Sequence, residues 1–239
     1  MSYQERTYRN RVSQNSLTSF RLCVRETDLL IRCDTDLSHK ALESVYAYRG
    51  SIESYIRMHP DFLTSLAPRH DDDIAPPIIR DMLKASLAAN VGPMASVAGA
   101  ISEYVGKDLL KLSKNVIIEN GGDIYLKSQE EVRVGLFAGN SPLTYKINLL
   151  LKPANMPIGI CTSSGTVGHS LSFGRADAVC VVSKSSTMAD AAATAIGNMV
   201  KGKGDIRAAL MKGLEIEGVL GVLVIVGDQF GVIGEMELD

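Results

Sequence analysis

The stretch VIIENGGDI, residues 116–124, sets three β-branched residues before an acid, then Asn120-Gly121-Gly122, then a second acid. A β-branched run that ends on an Asn-Gly signal reads as a strand entering a tight turn. The chain changes character here, because short apolar runs at 132–136 and 145–151 follow, separated by Gly, Asn, Ser and Pro. Alternation with such turns favours antiparallel pairing over the long crossovers that parallel strands require.

Upstream, 20–24 and 29–33 flank a turn expected at Glu26-Thr27-Asp28; basic residues alternate with apolar ones, so one face of this hairpin is wet. The spacing predicts a helix over 38–58, capped by Asp36 or Ser38. Its expected apolar stripe is Leu42, Val45, Tyr46, Ile52, Tyr55 and Ile56, and His59-Pro60 stops it. Residues 68–77 read as an exposed linker, since Asp71, Asp72 and Asp73 repel one another and Pro76-Pro77 forbid a continuous helix. That linker is the one candidate seam in a chain otherwise expected to form a single domain over 1–239. The three aspartates make a poor ion site, because consecutive residues cannot all point at one cation. Residues 78–112 are rich in Ala, Ser and Gly and are broken near 90–93, which predicts two helices able to approach a sheet or ligand closely. Downstream come a strand ending near Cys161, a strand at 178–183, helices at 187–199 and 205–215, and a last strand pair at 221–226 and 231–236 around Gly227-Asp228-Gln229. The order strands, helices, strands, helices, strands gives an α+β fold with largely antiparallel sheets layered with helices.

A net charge of −2 over 239 residues offers no global attraction for nucleic acid or anionic lipid. The absence of Trp and the 5 % aromatic content remove the stacking platforms of a single-strand nucleic-acid binder. The longest apolar runs, such as 219–226, are strand-sized, so neither a membrane span nor a signal peptide is expected, and the cytoplasm is the default. Cys23, Cys33, Cys161 and Cys180 lack Cys-x-x-Cys spacing, which argues against zinc and, in a cytoplasm, for free thiols.

Three polar clusters exceed what a core needs. In the first, Asn120, Gly121, Gly122 and Asp123 can line a ligand, or can form a hairpin turn with Asp123 in solvent. In the second, Thr162, Ser163, Ser164, Gly165 and Thr166 crowd hydroxyls and a glycine at a strand end, where backbone N–H groups can form an anion-binding concavity; a plain loop is the alternative. His169 is its candidate acid-base group or phosphate partner, and Ser170, Ser172 and Arg175 add donors. Cys161, beside this turn, is a candidate thiolate or a small buried strand-end residue, whereas Cys180 belongs to the core. In the third, Asp190 and Thr194 stand at i and i+4 on one helix face among alanines. They are hard oxygen donors of the kind Mg²⁺ takes alongside phosphate oxygens, or a helix-dipole acid and a hydroxyl bonded back to the preceding turn.

Taken in order, Gly-Gly-Asp-Ile at 121–124, Thr-Ser-Ser-Gly at 162–165 and Ala-Asp-(x)₃-Thr-Ala at 189–195 resemble the ApbE-type flavin transferase superfamily. Gly-Asn-Ser-Pro at 139–142 and Gly-Thr-Val-Gly-His-Ser at 165–170 resemble more closely the ApbE-like family of archaea and anaerobic bacteria. The resemblance implies an ApbE-like fold, FAD or FMN as ligand, Mg²⁺ on Asp190 and Thr194, a nucleotide lined by the 121–123 and 163–165 turns, and a homodimer. It also implies transfer or hydrolysis at a flavin pyrophosphate. Two departures stand out: 167–174 replaces the His-Ile-x-Asp-Pro-x-x-Gly segment of the transferases, and the nearest counterpart of their Lys-Gly pair is Ala98-Gly99. An accessory protein of anaerobic sulfur assimilation using Cys161, or a non-catalytic ligand-binding module, are the alternatives.

Overall fold

The computed structural model describes residues 17–165 and 173–239. The candidate residues Thr166, His169, Ser170 and Ser172 lie outside the described residues. Eight strands form one antiparallel sheet: β1 (Thr18–Val24), β2 (Thr27–Cys33), β3 (Val116–Asn120), β4 (Asp123–Lys127), β7 (Ile158–Ser163), β8 (Ala178–Ser183), β9 (Val219–Val226) and β10 (Gln229–Gly234), in that spatial order. Strands β5 (Val132–Gly135), β6 (Asn148–Leu151) and β11 (Glu237–Leu238) form a second antiparallel sheet, in the order β11-β6-β5. Among the described residues there are six α-helices, α1 (Ser38–Met58), the single turn α2 (Asp61–Thr64), α3 (Pro77–Ala89), α4 (Val97–Leu109), α5 (Ser186–Met199) and α6 (Ile206–Leu214), and three short 3-10 turns. The α+β expectation holds.

The period of two along each strand divides the core into layers. Ile118 in β3 and Val179, Val181, Val222 and Val224 in β8 and β9 meet the helices. Their neighbours Ile117, Cys180, Val182, Leu223 and Ile225 meet the second sheet, through residues such as Val134 and Leu149. Cys180 is therefore core, as expected. Helix α1 spans the residues its periodicity predicts, but its buried face is Ala41, Ser44, Val45, Ile52 and Tyr55. Leu42 and Tyr46, expected in the stripe, stand on the exposed flank. The first hairpin turns at Arg25-Glu26, one residue earlier and one residue tighter than the expected 26–28, because Thr27 and Asp28 already pair with Val24 and Cys23. Arg25 takes a positive φ of 52° to close it.

The acidic linker is largely exposed, yet the helices on its two sides share a core: Val45 and Ile52 of α1 pack in one cluster with Ile78, Ile79 and Met82 of α3. Asp72 accepts the Tyr55 hydroxyl at 2.9 Å, which ties the linker back to α1. Asn90 ends α3 in the left-handed region, at φ 54°, and Gly92-Pro93 then lead into α4.

Candidate functional site

The β3–β4 connection is a two-residue turn at Gly121-Gly122, whose φ values of 70° and 114° lie where only glycine is comfortable. The turn is thus a hairpin, but Asp123 does not face solvent. It pairs with Cys161 of β7 and shares the helical face of the sheet with Tyr125, whose ring lies against Gly106 of α4. Gly122 approaches the carbonyl of Thr162 closely enough that an added Cβ would sit at 3.4 Å from it. The first two clusters, separate in sequence, therefore meet at one end of the sheet.

The third cluster reaches the same place through α5. Ser186, the first residue of that helix, is buried where two glycines make room. A Cβ on Gly99 of α4 would lie 2.3 Å from the Ser186 carbonyl oxygen, and one on Gly159 of β7 would lie 2.4 Å from the Ser186 backbone. The Cys161 thiol donates to the Ser186 carbonyl at 3.3 Å, and the Ser186 hydroxyl donates to the carbonyl of Ile124 at 3.2 Å. Asp190, four residues along α5, turns its carboxylate onto the start of α4 and accepts the N–H of Gly99 at 2.9 Å and that of Ala98. Helix α4 has no side-chain cap of its own, so Asp190 satisfies donors that a helix N-terminus leaves open. Asn120 donates to the Ala98 carbonyl at 3.0 Å and anchors the glycine turn to the same helix end. Ser163 lies 3.5 Å from where a Cβ on Gly197 of α5 would stand. Asn120, Gly122, Asp123, Cys161, Thr162, Ser163 and Asp190 are thus one neighbourhood. Gly165 has its N–H committed to the carbonyl of Ala176 at 2.9 Å.

The electrostatics follow from burial. Burial pushes the Asp190 carboxyl up to about 7, against the lowering effect of the Gly99 and Ala98 N–H groups. Asp123 is raised well above the ordinary carboxylate range, first by burial and then by the charge of Asp190. Two carboxylates that burial and mutual repulsion both disfavour are a place where a cation is welcome. Asp190, Asp123 and the Thr194 hydroxyl, half-buried on the α5 face of Asp190, are hard oxygen donors that suit a small divalent ion. Among the described residues no group of three or more His, Cys, Asp or Glu could by itself hold a metal ion. Such an ion would complete its shell with phosphate oxygens or water, which is how Mg²⁺ is usually held.

The expectation of Cys161 as a thiolate meets the opposite environment. Cys161 is fully buried, and its thiol is raised well above its ordinary value by burial and by the charges of Asp123 and Asp190. Reactive thiolates need a positive, partly open surrounding, so Cys161 behaves as a packed strand residue. A cavity of about 400 Å³ lies elsewhere, between the second sheet and the strands it covers, lined by Lys152, Met156, Val182 and Met236 among others. None of the sequence-predicted residues lines it.

Sequence reasoning missed Glu103, which is 3 % exposed. Its Oε2 accepts the Ser185 hydroxyl at 2.8 Å and both the N–H and the hydroxyl of Thr187 at 3.0 Å, while Oε1 pairs with Lys107 at 2.7 Å. The available signal was an acid set directly after the small-residue run 95–102, where a buried helix face leaves a charge no reason to exist unless it is paired.

This layering of helices and antiparallel sheets is the fold of the ApbE-type transferases. The chain superposes on the apo form of the flavinyl transferase ApbE of Pseudomonas stutzeri with a TM-score of 0.60, at 13 % identity, over 91 % of this chain and 94 % of that one. It superposes on the ApbE protein of Thermotoga maritima with a TM-score of 0.55, at 12 % identity, over 90 % and 96 % of the two chains. Sequence resolves the relationship further. The chain is 47 % identical over 222 residues to a UPF0280 protein of Methanocaldococcus jannaschii and 45 % identical over 222 residues to one of Methanococcus aeolicus, with 90 % of each chain covered in both cases. Residues 9–234 match the family described as AbpE bacteria, and the chain belongs to this ApbE-like family. Among the described residues no helix is long and apolar enough to cross a membrane.

Proposed function

We propose that the protein binds a flavin nucleotide, FAD or FMN, or a related pyrophosphate together with Mg²⁺, and acts as a transferase or hydrolase at the pyrophosphate. The observation that carries this reading is the convergence of the Gly121-Gly122 turn, the end of β7 and Asp190 at one end of the sheet. Asp190 and Thr194 would hold the metal, with Asp123 beside them. Gly121, Thr162, Ser163 and Ser164 would supply backbone and hydroxyl donors to the nucleotide, while Asn120 and Gly122, whose N–H groups bond to Ala98 and Glu119, would shape the turn beside it, with Thr166 and His169 further on in sequence. When bound, Mg²⁺ supplies neutralisation of the charge that develops on the bridging oxygens. The chain's own part is to hold Asp190 rigidly between two helices and to keep that corner poor in water, which strengthens each electrostatic contact. The fold of flavin transferases at low identity and the family match support the reading. A cytoplasmic homodimer completes the proposal; exposed Phe230 and Val232 on the edge strand β10 give a second copy a surface to cover.

The test is calorimetric titration of the reduced protein with FAD, FMN and ADP, with and without Mg²⁺. Mg²⁺-dependent binding by the parent chain that is lost in Asp190→Ala supports the reading. No binding of any of the three overturns it.

A further inference from the structure

Helices α4 and α5 cap each other. Asp190 of α5 closes the N-terminus of α4 at Gly99, and Glu103, one turn further along α4, closes the N-terminus of α5 at Thr187, one turn before Asp190. The result is a hydrogen-bonded ring: Gly99, the first turn of α4, Glu103, Thr187, the first turn of α5, Asp190, and back to Gly99. Each positive helix end thus meets a carboxylate carried by the other helix. Ser186 sits inside the ring, its hydroxyl 3.3 Å from that of Ser102 and its backbone against Gly99.

We propose that Glu103 is the positioning residue for Asp190 and Thr194; this rests on the metal and nucleotide reading above. Asp190 accepts the N–H groups of Gly99 and Ala98, so the direction of the rest of its carboxylate is set by the pitch and rotation of α5. Those are set at the first turn of α5, and Glu103 makes three bonds there: to Ser185, to the Thr187 backbone and to the Thr187 hydroxyl. Ser185 also accepts the N–H of Met188, so Glu103 orients the helix's own cap as well. Lys107, paired with the other oxygen of Glu103, balances its buried charge and fixes the rotamer. Groups that orient metal ligands from behind commonly change metal affinity by about 10–100-fold when removed.

The experiment measures FAD binding by calorimetry across a Mg²⁺ titration, for the parent chain, Glu103→Ala, Glu103→Gln and Thr187→Val, together with thermal unfolding of each. Glu103→Ala is expected to raise the Mg²⁺ concentration needed for half-maximal coupling about 10-fold or more while FAD binding without Mg²⁺ changes less than about twofold. Glu103→Gln keeps an acceptor for Thr187 and is expected to recover most of the coupling. Thr187→Val removes a single hydroxyl bond; if Glu103→Ala does not fold, a rise of about threefold in the Mg²⁺ requirement of Thr187→Val carries the proposal in its place, roughly as one lost hydrogen bond would give. A folded Glu103→Ala with parental Mg²⁺ dependence overturns the positioning role alone. Equal weakening of FAD binding with and without Mg²⁺ overturns it too, since that is what general loosening of the fold produces. A parent chain with no Mg²⁺-dependent binding overturns the underlying reading and this proposal together.

Discussion

Asp190 accepts the backbone N–H of Gly99 at 2.9 Å, and the same glycine leaves no room for a side chain, since its Cβ would stand 2.3 Å from the Ser186 carbonyl oxygen and 2.8 Å from the Asp190 Cβ. Contact and cap are one feature: α4 and α5 must touch at the backbone for a carboxylate as short as aspartate to reach across. The small residues at the start of α4 are thereby explained by helix approach, with Gly99 a point of backbone contact.

Gly99→Ala follows directly. Ser186 cannot retreat, because it is held on its other side by Gly159 of β7. Overpacking of this kind costs about 1–3 kcal/mol, and urea unfolding should show the midpoint fall with an unchanged slope. Gly50→Ala is the contrast: that glycine lies within α1 with nothing inside 4 Å of the added methyl. It should stabilise the protein by roughly 0.5–1 kcal/mol through helix propensity. Equal effects at the two sites would refute the close-approach account.

Asp190 has two duties, and two substitutions separate them. Asp190→Ala removes the cap of α4 along with the carboxylate, so it should lose Mg²⁺-dependent nucleotide binding and about 1 kcal/mol of stability. Asp190→Asn keeps an oxygen that can accept from Gly99 and Ala98 but removes the charge. It should unfold at a urea midpoint near the parent's and still lose the Mg²⁺ dependence. An Asn variant that keeps full Mg²⁺ coupling would remove Asp190 from the metal assignment.

The thiols should react in the order of their surroundings. Cys33, Cys161 and Cys180 are fully buried and Cys23 is exposed on β1. Burial raises Cys33, Cys161 and Cys180, the last to about 12, so near neutral pH their thiolate fractions are small as well as hidden. Alkylation of the native protein followed by peptide mass mapping should label Cys23 first and leave Cys161 unmodified until the chain unfolds. Fast native labelling at Cys161 would restore the sulfur-chemistry alternative.

Elements whose signals are local were legible, and those defined by distant partners were not. Helix α1 has an apolar repeat and a proline stop at 60, and its bounds came out as 38–58. Strand β4 offers only Ile124-Tyr125-Leu126 between polar residues, and it exists because β3 and β7 pair on its two sides, the latter more than thirty residues away. Strand β6 starts at Asn148 and not at 145, since Tyr145 takes φ 59° in a turn. At the site, the shared face of Asp190 and Thr194 followed from helical spacing. The inward direction of Asp123 required knowing that it is the first residue of β4, which puts it on the side of Tyr125. The bond between Glu103 and Thr187 spans 84 positions, and no local pattern encodes it.

Acid should find a different weak point, at Asp34. Its carboxylate accepts the Asn115 side-chain N–H at 2.7 Å, the Lys114 N–H at 2.7 Å, the Ser113 hydroxyl at 2.9 Å and the Asn115 N–H at 3.1 Å, joining the end of β2 to the loop that enters β3. These donors, the Asn115 side chain first, hold its carboxyl below the ordinary value. The native state therefore binds the proton less readily than the unfolded chain does. The bonds contribute fully above the unfolded value, about 3.9, and their contribution fades as the pH falls from there toward the lower native value. Asp34→Asn has no carboxylate to protonate. Its deficit in urea midpoint against the parent should be largest near neutral pH and should shrink below about pH 4. A deficit that is constant from neutral pH down through that range would mean that the loop is held by packing and not by the Asp34 charge.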